Sequence, residues 1–147
     1  MDNKMDNKKV LKIYGILFII LAMFNLVSLG LNFSGSESLT AIENIPANIL
    51  NVLSGLIFSL IIIEILVELF LGIMGIQQSN GKYKGKIHIT LAKIMLTLSV
   101  LYIVLMLPTF IAKEIEFSAL IDEVTMSAVW FGYIDFAKKV LEEPVNE

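Results

Sequence analysis

The chain has no cysteine. Disulfide staples and thiolate metal sites are therefore excluded. It has one histidine, His88, so a typical zinc site would lack a second imidazole. His88 stands where a loop meets an apolar run, and an interfacial position without a special role is expected for it. Arginine is absent too; all eleven basic residues are lysine. With the abundance of isoleucine and asparagine, this suggests an AT-rich coding sequence and hence a bacterial origin. Charge of either sign is scarce, at 17% of residues and a net −3. That balance leaves no basic footprint, so no nucleic-acid partner is expected.

The chain is instead rich in apolar residues, which make up 56% of it. Its mean hydropathy is +0.80. A soluble domain has roughly 45–50% apolar residues, and here the excess lies in long runs. A single integral membrane domain over residues 1–147 follows. Four runs are long enough to cross ~30 Å of hydrocarbon. We place the spans at residues 12–31, 52–76, 88–111 and 119–140, with short tails at 1–9 and 141–147.

The first run is led by Lys12 and Tyr14, which can snorkel to headgroups. It exceeds the ~7–15 apolar residues of a signal peptide, and Ser28-Leu29-Gly30 is a poor cleavage site. An uncleaved span is therefore expected. The polar break after it carries Leu39, Ile42 and Ile45, which fit one amphipathic turn on the surface. Asn80-Gly81 marks a tight turn between the second and third runs. Pro108 should loosen the end of the third. The fourth is interrupted by Asp122, Glu123 and Asp135, and either crosses or lies on the outer surface.

Lysine placement decides between these. Lys4, Lys8, Lys9 and Lys12 precede span one; Lys82, Lys84 and Lys86 separate spans two and three; Lys138 and Lys139 follow span four. Four crossings put all of these in the cytoplasm, with Lys93 just inside span three, and leave only Lys113 outside. The positive-inside rule favours that arrangement. The expected fold is an all-α membrane protein, a bundle of four antiparallel transmembrane helices with both termini cytoplasmic. The multi-pass location is the cell membrane, here a bacterial inner membrane.

Two carboxylates, Glu64 and Glu68, interrupt the second span. Four positions apart, they share one helix face. Ionisable groups at such depth are costly and mark candidate ion or proton sites. Across the tight loop, Lys93 is a geometrically plausible ion-pair partner for Glu68. Glu64 has no basic residue at its depth; Ser59, Thr97, Ser99, Asn25 or water are its candidate partners. Gly55 and Ser59, and Gly72 and Gly75, are small residues that can admit a neighbouring helix.

No metal-binding His–Glu motif, nucleophile elbow or phosphate-cradling glycine loop is present. Neither an enzyme nor a cofactor is expected. The first functional expectation is a structural or accessory protein of the membrane, with the bilayer and a second copy or another membrane protein as partners. The alternative is a small proton-coupled transporter or transporter subunit, in which Glu64 exchanges a proton for a cationic substrate.

Overall fold

The computed structural model describes residues 6–34, 47–112 and 117–143. They form four helices: α1 (Asn7–Ser34), α2 (Ala47–Ser79), α3 (Ile87–Ile111) and α4 (Phe117–Glu142). No strand occurs among the described residues. The all-α bundle expected from the hydropathy pattern is what the chain adopts. The expected surface turn at Leu39, Ile42 and Ile45 lies outside the described residues, as do Lys4 and Lys113.

Three helical stretches are long and apolar enough to cross a membrane: Asn7–Leu31, Ser54–Ser79 and Ile87–Pro108. In hydrocarbon a helix is the form that pairs every backbone N–H and C=O within one segment. α4 has 26 residues, or ~39 Å at ~1.5 Å each. Its length suffices to cross, but Asp122, Glu123, Asp135, Lys138 and Lys139 make it more polar than the others. Pro108 does not break α3, which runs on to Ile111; the Ala112 N–H reaches the Pro108 carbonyl at 3.0 Å.

α2 ends in a left-handed cap. Gly81 has φ +73°, a conformation that a side chain disfavours. The Gly81 N–H donates to the Gln78 carbonyl (3.0 Å) and the Lys82 N–H to the Gln77 carbonyl (2.9 Å). These bonds satisfy carbonyls that the helix end leaves open.

Packing follows the small residues. α1 meets α2 backbone to backbone at Gly15 and Gly72, where a Cβ on either would come 2.8 Å from the other's carbonyl oxygen. Gly75 accommodates the ring of Tyr133 from α4; a Cβ there would lie 2.9 Å from its Cε2. Gly55 faces open space, and the Ser59 hydroxyl bonds back to the Gly55 carbonyl at 2.8 Å. Of the two small-residue pairs in the sequence, Gly72 and Gly75 therefore make the close contacts.

The helices pair as two hairpins. α1 packs along α2, α3 packs along α4, and α4 also contacts α1 and α2. α3 touches α2 little, although only a tight loop joins them. Spans two and three are in contact, but each packs mainly on the other helix of its own hairpin. The reason lies in α4, whose Trp130 and Tyr133 rings pack on Phe18 at 4.6 and 5.2 Å between centroids. Tyr133 also fills the hollow at Gly75, so α4 reaches both helices of the first hairpin.

The core gathers toward the lysine-bearing end, around Leu11, Phe18, Leu71, Ala92, Trp130, Tyr133 and Ala137. Toward the other end the side chains are apolar and exposed, with Leu31 at 70% and Ile111 at 77%. Outward-facing apolar side chains are what lipid tails solvate.

Candidate functional site

The candidate site is a polar layer to which all four helices contribute. Its height follows from bonds nearer the lysine end. Gln78 Nε2 donates to the Ala137 carbonyl (2.8 Å), and the Tyr133 hydroxyl to the Leu71 carbonyl (3.0 Å). Carrying that register along the parallel helices α2 and α4 sets Glu64 level with Glu123, and Glu68 with Ser127. Glu68 lies ~16 Å along α2 from Ser79, and Ser99 ~18 Å along α3 from Ile87. Both heights are near the middle of helical stretches long enough to cross a membrane.

Glu68 is fully buried. Its Oε2 accepts a hydrogen bond from Asn25 Nδ2 of α1 at 3.0 Å. Its Oε1 is buried with no partner. Glu64, one turn away, is half-buried and has no hydrogen bond or ion pair among the described residues. Glu68 and Glu123 both lie within electrostatic reach of it. Glu123 accepts a hydrogen bond from the Ser99 hydroxyl of α3. Ser99 and Ser127 lie 2.8 Å apart, Oγ to Oγ. A hydroxyl has one proton, and that of Ser99 goes to Glu123, so Ser127 donates to Ser99.

The sequence-derived partners are redistributed. Lys93 is exposed, and no ion pair joins it to Glu68. The ion pairs among the described residues are Lys8–Glu143 at 3.8 Å and Lys139–Asp135 at 2.5 Å, both at the lysine end. Equal distance from the loop does not become contact, because α3 leans on α4. Asn25 serves Glu68 rather than Glu64, and Ser99 serves Glu123. Thr97 bonds the Lys93 carbonyl of its own helix at 2.9 Å. Ser59 likewise turns to its own helix, so neither hydroxyl reaches Glu64. The buried, bonded carboxylate is Glu68, and Glu64 is the more open of the two.

Glu123 is the member that sequence reasoning left out of the layer. A signal for it exists: Ser127 follows it by one turn on the same face, whereas neighbouring Asp122 is exposed.

His88, the second residue of α3, is fully buried among protein side chains. Its Nε2 lies 2.5 Å from Gln78 Oε1. Because the Gln78 NH₂ group donates to Ala137, its oxygen is the acceptor, so His88 Nε2 carries the donated proton. The His88 Nδ1 is buried without a partner. The rings of Tyr83 and Tyr133 flank it at 5.3 and 5.9 Å. His88 thus ties the start of α3 through Gln78 to α4.

The layer combines three carboxylates, an amide and two hydroxyls with no lysine. Chemically it can join helices by hydrogen bonds, and it can hold a proton or a cation. Among the described residues, no group of three His, Asp or Glu side chains is placed to hold a metal ion. No protein-family model matches the chain, and comparison with curated proteins and with solved structures finds no match.

Proposed function

We propose that the chain is a small integral membrane protein with a structural or accessory role, in which the mid-bundle polar layer specifies how the helices pair within each of two hairpins. One observation carries this reading: each hairpin is closed by a hydrogen bond to a carboxylate, Asn25 to Glu68 and Ser99 to Glu123. Interhelical polar bonds in membranes contribute about 0.6 kcal/mol on average, so they specify packing more than they stabilise it. The protein is not an enzyme in this reading. Its partners are the bilayer and a second copy or another membrane protein, with no nucleic acid.

All four helices cross, and both termini are cytoplasmic. The contacts of α4 support its crossing, because Trp130, Tyr133 and Ala137 are buried among the other helices rather than laid along a surface. The lysine distribution supports the orientation. With the compositional argument, it supports a location in a bacterial inner membrane.

A second reading is a small proton-coupled transporter or transporter subunit. It is favoured by the three acidic side chains that share the layer without a basic residue, and by the bare Oε1 of Glu68. The sequence assigned the proton-carrying role to Glu64; the burial of Glu68 makes both residues necessary to test.

The two readings separate on Glu64→Gln and Glu68→Gln. In the structural reading both variants keep normal expression, and unfolding in mixed micelles shifts by about 1 kcal/mol or less, since Gln can still accept from Asn25. Proton flux into proteoliposomes is then equally low for the parent and both variants. A parent that carries a proton-driven flux, lost in either variant while stability is unchanged, refutes the structural reading in favour of transport.

A further inference from the structure

Among the described residues, the lysine end of the bundle carries nine lysines against four carboxylates, Asp6, Asp135, Glu142 and Glu143. Its parts come together in space: Asn7 of α1 donates to Glu143 after α4 at 2.9 Å, and Gln78 links α2 both to α4 and to His88 of α3. The lysines that begin α1, fill the α2–α3 loop and end α4 therefore share one end. Two of them are paired, Lys8 with Glu143 and Lys139 with Asp135. Lys12, Lys82, Lys84, Lys86, Lys93 and Lys138 are exposed and have no carboxylate within ion-pair distance among the described residues.

Depth points to the source of the missing anions. Lys93 lies ~9 Å along α3 from Ile87, inside the apolar stretch. Beside it Ile94 is 51% exposed, and beside Lys12 Ile13 is 64% exposed. Both lysines thus rise from lipid-facing surface. A lysine stem there lies along apolar surface while its ammonium reaches back to headgroup height. A dissolved anion would have to leave water to meet it, whereas a lipid phosphate already sits at that height.

We propose that this end binds anionic phospholipid, with Lys12 and Lys93 holding headgroup phosphates and Lys82, Lys84 and Lys86 adding a diffuse attraction. Attraction to an anionic surface amounts to about five-fold per lysine at most and weakens with salt. This inference is independent of whether the polar layer is structural or transports ions.

The test uses the full chain reconstituted in vesicles of equal parts phosphatidylcholine and phosphatidylglycerol. The lipids that remain bound after gentle extraction are counted by mass spectrometry. Phosphatidylglycerol is expected to be enriched several-fold. The double substitution Lys12→Gln and Lys93→Gln should bring the ratio to less than half its parent value, and Lys12→Arg with Lys93→Arg should keep it. All four substitutions are at exposed positions, and helix content by circular dichroism confirms the fold. Equal retention of both lipids by the parent overturns the proposal, as does enrichment unaffected by the Gln pair. Loss of enrichment on adding inorganic phosphate, at constant ionic strength, would assign the site to free phosphate and overturn it too.

Discussion

At Gly72 the absence of a side chain matters for contact rather than for backbone angle. An added Cβ would lie 2.6 Å from Ile19 Cγ1 and 2.8 Å from the Gly15 carbonyl oxygen, so α1 and α2 would have to separate. Overpacking of this kind costs about 1–3 kcal/mol. Gly72→Ala should therefore unfold in mixed micelles with a stability lower by about that amount. Gly55→Ala meets nothing within 4 Å and should be neutral or more stable by under ~1 kcal/mol, from helix propensity. Equal effects at the two glycines would remove the α1–α2 crossing from the account. Both glycines were visible as small-residue signals, but spacing alone does not say which meets a neighbour. The same holds for the carboxylates. Glu64 and Glu68 stood out because charge inside an apolar run is rare. Which one is buried depends on Asn25, a single residue whose azimuth the sequence does not give.

At the scale of elements, the pairing of helices was the least legible feature. α2 and α3 are apolar around their whole circumference, so no stripe marks the side that meets protein. The short loop with Asn80-Gly81 suggests that α2 and α3 are neighbours. It does turn the chain there, and α2 and α3 touch, but α3 packs mainly on α4, whose Trp130 and Tyr133 pack on Phe18 of α1. The Glu68–Lys93 pair was lost with that pairing. The polar contacts of α4 give a test. Tyr133→Phe removes the bond to the Leu71 carbonyl and should cost about 0.5–1.5 kcal/mol in the same unfolding assay. Gln78→Leu should cost more, about 1–3 kcal/mol, because it leaves the buried His88 N–H without a partner and also removes the bond to the Ala137 carbonyl. A milder effect of Gln78→Leu than of Tyr133→Phe would contradict the link from α3 through Gln78 to α4.

At the scale of the whole molecule, the helical class and the number of helices were legible because hydrocarbon permits few alternatives. Four apolar runs became four helices, each enclosing one expected span. The mid-bundle layer was half legible: its α2 members interrupt a strongly apolar run, whereas Glu123 sits in a segment already polar enough to hide it. The layer exists as a membrane-interior feature only if α4 crosses with the other three helices. Were α4 to lie on the outer surface, Glu123, Ser127 and their bond to Ser99 would be in the interface, and Lys138 and Lys139 would be outside. The most direct measurement is therefore the side of the membrane on which the chain ends, read from two fusions after Glu147. A fluorescent reporter that matures only in the cytoplasm should be bright, and an enzyme reporter active only after export should be silent. Export-side activity with a dark cytoplasmic reporter would contradict the four-crossing bundle and the polar layer within it.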